Sequence, residues 1–314
     1  MEAYTIVVPD TVLLGQVCGT NDSNLRLIEE HLGVPVFSKG NELAIAKGDP
    51  GICRDFRHII DRITDEVQSG GVADADLLQS IFNVDSPSQE DFRRLPPVVI
   101  PGGLKRVYPK SPHQADFLSC LREKDLVFCV GPAGSGKTFI GIAHALEEVL
   151  SRRKSTLVLT RPVVEAGENL GYLPGDLEQK INPYLRPLYD AMGYLIGREA
   201  VRRLTESAVI EIAPLAYMRG RTLHNSFILL DEAQNTTIEQ MKMFLTRIGD
   251  GSSVCVTGDI TQIDLPARTP SGLVHAISIL DSIDGIGTVS MDASDVVRSP
   301  LVKKIVQAYE HHKN

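Results

Sequence analysis

Two hydrophobic rhythms divide the sequence. Up to about residue 84, short apolar runs sit among amphipathic stretches. Tyr4–Val8 (YTIVV) has strand composition, and VPVFS and ELAIA flank a Gly40-Asn41 turn as the two strands of a hairpin. Between them, Asp22 is placed to cap a helix whose Leu25, Leu27, Ile28 and Leu32 form one apolar face, with Gly33 at its C-terminal end. Residues 51–68 repeat Phe56, Ile59, Ile60, Ile63 and Val67 at helical spacing, and a short helix is expected near Asp74–Phe82. The stretch NVDSPSQEDFRRLPP is polar and contains prolines, which predicts a linker. From about residue 97 the rhythm changes. The runs LVFCV, STLVLT, AVIEIA, SFILLD, SVCVTGD and GTVSM alternate with helix-like segments. That alternation predicts a parallel, doubly wound α/β sheet. The expected organisation is a small α+β domain over 1–84, a linker over 85–96 and an α/β domain over 97–314.

Composition removes several classes. With 43% hydrophobic and 23% charged residues in 314, the chain matches neither a disordered nor a collagen-like protein. No apolar run approaches the roughly 18 residues of a membrane span. The start, MEAYTIVVPD, has no basic segment and no long apolar run, so no signal peptide is expected. Five scattered cysteines without a CxxC fit reduced thiols in a cytoplasm better than a disulfide framework or a zinc site. Charge is uneven. Residues 1–100 hold 16 acidic and 8 basic side chains, while residues 101–314 hold 24 of each, so the net −8 lies in the first third. No domain-level basic excess is present, so any nucleic-acid contact must use a local groove or several subunits together.

The strongest signal is LVFCV-GPAGSGKT-FIGIAHALEEVL. Gly131, Gly136, Lys137 and Thr138 match G-x-x-x-x-G-K-[ST], with Pro132, Ala133, Gly134 and Ser135 completing the loop. Glycines let the backbone curl until its N–H groups point at phosphate oxygens, and the following helix adds a favourable dipole. Lys137 then reaches the β- and γ-phosphates and the Thr138 hydroxyl is a Mg²⁺ ligand. A dinucleotide reading fails, because the third position of G-x-G-x-x-G is Phe139. SFILLDEAQN supplies the acidic partner: Asp231 to hold Mg²⁺ through water, Glu232 to polarise the attacking water. The separation of 94 positions between Lys137 and Asp231 leaves room for strands between the two.

DEAQ (Asp231–Gln234) followed by TGD-ITQ (Thr257–Gln262) resembles the paired motifs of superfamily-1 helicases. That resemblance assigns Gln262 to sensing the γ-phosphate; a solvated loop amide is the plainer alternative. Thr160–Met192, Met218–Asn235 and Asp295–Tyr309 together resemble the PhoH-like ATPase family over nearly the whole chain. The resemblance implies a RecA-like P-loop core that binds ATP with Mg²⁺, and an N-terminal domain that is KH-like. It assigns Gln114 to reading adenine, against a surface glutamine at a helix start. Arg161 takes the place of a nucleic-acid-contacting residue or of a simple salt-bridge residue. Arg219 and Arg221 stay open between RNA, nucleotide and a neighbouring subunit. Arg298, in DVVR, is expected to meet the γ-phosphate charge, or else only to pin a helix over 300–310. Ser299 stands where a basic residue or histidine is expected.

With room for one core, a second must come from a neighbour, which predicts a homo-oligomer; the family implies a hexameric ring. The counterpart of the KH GXXG loop is Gly19-Thr20-Asn21-Asp22, which lacks the second glycine and ends acidic. The expected function is a cytoplasmic ATPase with an RNA-remodelling or helicase-like task on single-stranded RNA. The family implies an endoribonuclease partner acting on ribosomal RNA. A nucleotide-dependent scaffold that recruits a nuclease without moving along RNA is the rival reading. No NKxD motif supports a GTPase, and small-molecule kinases lack the DEAQ and GDxxQ pair.

Overall fold

The computed structural model describes residues 3–46, 48–82, 96–103, 105–162 and 177–296, with the backbone alone for 177–183. Residues 85–95 of the expected linker lie outside these, as do 163–176, Arg298 and the expected C-terminal helix. The chain divides into two compact units, Met1–Pro96 with Tyr108–Ser111, and Pro97–Val107 with Pro112–Asn314.

The first unit runs β1 (Ala3–Val7), helices Thr11–Cys18 and Ser23–Leu32, β2 (Val36–Lys39), β3 (Glu42–Ala46), and helices Pro50–Gln68 and Ala75–Phe82. Its antiparallel sheet has the order β1-β3-β2, so Ile45 lies opposite both Tyr4 and Val36. Leu43, Ile45, Phe56, Ile60, Ile63, Leu77 and Leu78 form its fully buried centre. The helix Thr11–Cys18 is not signalled by periodicity. TVLLGQVC is nearly uniformly apolar, and only the cap from Asp10, whose Oδ1 accepts from Leu13 N at 2.8 Å, marks its start.

Asp22 does not cap the next helix: it lies in the left-handed region at φ 57° and its side chain makes no cap bond. Asn24 holds that helix instead, its buried amide donating to the carbonyls of Val17 (3.2 Å) and Ala73 (2.9 Å). Leu25 and Ile28 share its buried face, while Leu27 and Leu32 are half-buried. Gly33 closes the helix as expected, at φ 67° with its N–H on the Glu29 carbonyl.

The second unit contains all six strands predicted for it: β6 (Leu126–Val130), β7 (Thr156–Arg161), β8 (Ile210–Pro214), β9 (Ser226–Leu230), β10 (Ser253–Gly258) and β11 (Ile286–Ser290). A small hairpin, β4 (Val98–Val99) and β5 (Arg106–Val107), precedes them. The six form one parallel sheet in the order β11-β6-β10-β9-β7-β8. Every residue of β6 and β9 is buried, as a parallel sheet covered on both faces requires. The helix Lys137–Leu150 packs so closely on the sheet that a β-carbon on Gly141 would lie 2.9 Å from Leu229 Cδ1.

Strand order positions the site. β10 lies between β6 and β9, the RecA-like arrangement, and accounts for the long separation between the phosphate loop and the acidic pair. Register aligns Gly258 with Val130 and Val256 with Leu230. The loops after β6, β9 and β10 therefore open side by side at the carboxyl ends of the strands, where open α/β sheets bind their ligands.

Candidate functional site at the strand ends

The loop Gly131–Gly136 joins β6 to the helix Lys137–Leu150. Gly134 (φ 85°) and Gly136 (φ 90°) adopt backbone angles that L side chains rarely take, which is why the loop needs glycine there. Lys137 is buried and folded over the loop, its Nζ donating to the carbonyls of Gly131 (2.7 Å) and Pro132 (2.8 Å) and lying 3.3 Å from Ser135 Oγ. Gln114 is not a surface residue. It is 3% exposed, and its amide donates to the Ser135 carbonyl at 2.9 Å, so the helix Pro112–Glu123 braces the loop from behind. A β-carbon on Gly136 would lie 3.0 Å from that amide nitrogen. Beside it, His113 Nδ1 lies 2.9 Å from Oδ2 of the buried Asp295.

Asp231, 2% exposed at the end of β9, is the centre of the site. Its Oδ1 accepts from the hydroxyls of Thr138 (2.7 Å) and Thr257 (2.6 Å). Its Oδ2 accepts from Arg161 through Nε (2.8 Å) and through Nη2. Glu232 projects a half-exposed carboxylate from a backbone at φ 56°, ψ 35°. That region costs a residue with a β-carbon on the order of 1 kcal/mol, and aims Glu232 away from the line of the strand.

Gln234 joins the two acidic loops. Its buried amide donates to Glu232 Oε2 (2.7 Å) and the Gln262 carbonyl (3.2 Å), and accepts from the Asp259 N–H (3.0 Å). Gln234→Leu strands the Asp259 N–H in the interior, so we expect a stability loss of roughly 1–3 kcal/mol. Chemical denaturation checks this, and an unchanged midpoint would contradict the bridging role.

Asp259 in turn holds the phosphate loop: its Oδ2 accepts from the Ala133 N–H at 3.1 Å and from the Gln262 amide at 2.7 Å. Burial pushes this carboxyl up, but the Thr261 hydroxyl and N–H, the Gln262 amide and the Lys137 charge outweigh it and hold it below the ordinary 3.8. At neutral pH it is a fixed anion. Gln262 is exposed on the turn it stabilises.

Together Ala133, Gly134, Gly136–Phe139, Asp231, Glu232, Gly258, Asp259 and Gln262 line a cleft of about 270 Å³. The sequence-predicted Lys137, Thr138, Asp231, Glu232 and Gln262 thus converge, with Gln114 behind the loop. Arg298 lies outside the described residues. Thr257, Asp259 and Gln234 belong to the site although the sequence motifs that contain them do not mark them as such. Arg161 turns out to be paired with the central carboxylate. Arg221 pairs through both terminal nitrogens with Glu211 on β8, which accounts for it within the chain, and Arg219 is exposed. No cysteine lines the cleft, and burial pushes the thiols of Cys18, Cys120, Cys129 and Cys255 up.

The donor set fits Mg²⁺ and a polyphosphate. Thr138 and Asp231 bring hard oxygens within 2.7 Å of each other, suited to a cation that keeps most of its waters. A Gly-rich turn, a buried lysine and a helix N-terminus face the same cleft.

This strand order and these residues define a P-loop nucleotide-binding protein. The chain belongs to the PhoH-like protein family, whose match spans residues 106–310. It is 41% identical over 313 residues to a PhoH-like protein of Synechocystis sp. (strain ATCC 27184 / PCC 6803 / Kazusa), covering 99% of this chain and 95% of that one. A PhoH-like protein of Bacillus subtilis (strain 168) is 41% identical over 305 residues, covering 96% and 95%. Protein PhoH of Escherichia coli (strain K12) is 43% identical over 198 residues, 62% of this chain and 56% of that one. Among solved structures, the large terminase of a thermophilic bacteriophage aligns with 13% identity over 62% of this chain and 49% of that one, at a TM-score of 0.38. At that score the alignment bears on neither fold nor function. Among the described residues, no helix is long and apolar enough to cross a membrane.

Proposed function

We propose that the chain binds ATP with Mg²⁺, hydrolyses it, and couples hydrolysis to the remodelling of single-stranded RNA in the cytoplasm. The observation that carries the ATPase reading is the 2.7 Å bond between Thr138 and Asp231, which joins the phosphate loop to the acidic strand with Glu232 beside it. Thr138 and Asp231 would hold Mg²⁺, which supplies charge neutralisation along the phosphates when bound. The loop and Lys137 orient the phosphate chain. Glu232 takes the proton from the attacking water, and Gln234 fixes the carboxylate that does so. Gln262, on the turn anchored by Asp259, reads the terminal phosphate. Gln114 carries the adenine assignment from behind the loop.

Support for RNA as the partner lies in the first unit. Its order β-α-α-β-β-α-α begins with the β-α-α-β-β-α run that, with an antiparallel β1-β3-β2 sheet, suits a KH-like reading; the helix Ala75–Phe82 is additional. The five free cysteines suit a reducing compartment. The proposal includes a homo-oligomeric ring, in which Arg298 of one subunit serves a neighbour's γ-phosphate, and an endoribonuclease partner.

One observation favours a second reading, a nucleotide-dependent scaffold for that nuclease. The first 100 residues carry twice as many acidic as basic side chains, and the turn Thr20–Asp22 ends in an exposed acid. Steady-state ATP hydrolysis with and without single-stranded RNA, alongside the mass in solution, separates the two. A ring whose turnover rises several-fold with RNA supports remodelling. A ring that binds ATP and ignores RNA supports the scaffold.

A further inference from the structure

Asp231 accepts more than the phosphate site requires. An ionised carboxylate offers about four lone-pair sites. All four are used: two by the hydroxyls of Thr138 and Thr257 on Oδ1, two by the Arg161 guanidinium on Oδ2. With Asp231 2% exposed, no solvent-facing edge remains to accept a further donor. Arg161 is equally well fixed. It ends β7, its side chain is 14% exposed, and its remaining terminal nitrogen, Nη1, donates to the Tyr184 carbonyl of the helix Leu177–Ile196 at 2.9 Å. Its Nη2 also lies 3.8 Å from Glu232 Oε1.

We infer that Arg161 competes with the divalent cation for the Asp231 carboxylate, and so sets how much Mg²⁺ nucleotide binding requires. This deepens the ATPase reading and rests on it. The reason is electrostatic. One buried carboxylate carries a single negative charge, and two cations drawn to it repel each other where solvent screening is weak. Whatever one gains from Asp231 is lost in part by the other, and the antagonism is reciprocal.

Pairing with Arg161 also gives the buried Asp231 carboxylate a partner of opposite charge. The general principle is that a buried charge needs a partner. Arg161 is therefore a positioning residue that holds the Asp231 carboxylate and yields it when Mg²⁺ arrives with nucleotide.

The test is a Mg²⁺ titration of mant-AMPPNP binding by fluorescence, on the full chain, for wild type, Arg161→Ala, Arg161→Gln and Arg161→Lys. Arg161→Ala is expected to reach half-maximal Mg²⁺-dependent binding at about tenfold lower Mg²⁺, within the usual range of coupling between two sites. Arg161→Gln, which keeps a donor but loses the charge, is expected to shift the same way. Arg161→Lys, which keeps the charge, is expected to stay close to wild type. If Arg161 only supports the fold, the neutral variants lower the denaturation midpoint while the Mg²⁺ requirement stays put or rises, and the inference is overturned. Should Arg161→Ala fail to fold, Arg161→Gln and Arg161→Lys decide by the same criterion. A wild-type protein that binds no mant-AMPPNP at any Mg²⁺ overturns the nucleotide-site reading itself. That failure is distinguishable from an unshifted titration in a wild type that binds.

Discussion

Glu232→Gln is expected to bind ATP as wild type does and to lose hydrolysis by about 10²- to 10⁴-fold, the contribution of a positioned general base. The substitution is nearly isosteric. Its amide oxygen still accepts from the Gln234 amide that now holds Glu232 Oε2 at 2.7 Å, and the left-handed backbone at this position is unchanged. What is removed is the capacity to take a proton from water. Phosphate-loop contacts, the Thr138–Asp231 bond and the Lys137 charge are untouched, so affinity has no reason to fall. Single-turnover hydrolysis measured beside equilibrium ATP binding checks both halves. Turnover within a few-fold of wild type would remove Glu232 as the water-activating residue.

Lys137→Ala is expected to weaken ATP binding by about a hundredfold, as loss of a buried, hydrogen-bonded charge does. The ammonium is already desolvated on the loop, donating to the carbonyls of Gly131 and Pro132. Arginine is not a conservative replacement, because its planar fork does not fit where a compact point charge sits between two carbonyls. Equilibrium binding of ATP, with a denaturation midpoint as the folding control, measures the effect; affinity near that of wild type would contradict it. The same variant tests the ring. Mixed with Arg298→Ala, it is expected to regain part of the hydrolysis that each lacks alone, because an intact phosphate site then meets an intact arginine across a subunit boundary. Mixed rings without recovery would contradict action across subunits.

The parts legible in the sequence are those encoded locally. Six apolar runs gave six parallel strands, and the loop glycines with Lys137 and Thr138 were readable because their geometry depends on neighbouring residues. Asp231 and Glu232 followed from a strand end. Contacts fixed by strand order were not legible. Asp259 lies inside a motif whose glutamine is recognisable, yet its hold on the Ala133 N–H spans 126 positions and exists only because β10 lies next to β6. Arg161 and Asp231 are 70 positions apart and meet because β7 and β9 are neighbours in register, Thr160 opposite Leu230. Gln114 reads equally well as surface or site until its burial behind the loop is known. In the first unit, the helix Thr11–Cys18 lacks a polar face to give it period. The carboxylate of Asp22 suited a cap by type, but its backbone turned left-handed.

The most direct test of the central claim is a crystal structure of the Glu232→Gln protein grown with ATP and Mg²⁺. The account predicts a triphosphate cradled by Gly131–Thr138, with Lys137 turned from the loop carbonyls to the phosphates. It also predicts a Mg²⁺ ion beside Thr138 and Asp231, and an ordered water next to residue 232. A nucleotide bound away from this cleft, or a triphosphate in it with the metal remote from Thr138 and Asp231, would contradict the account.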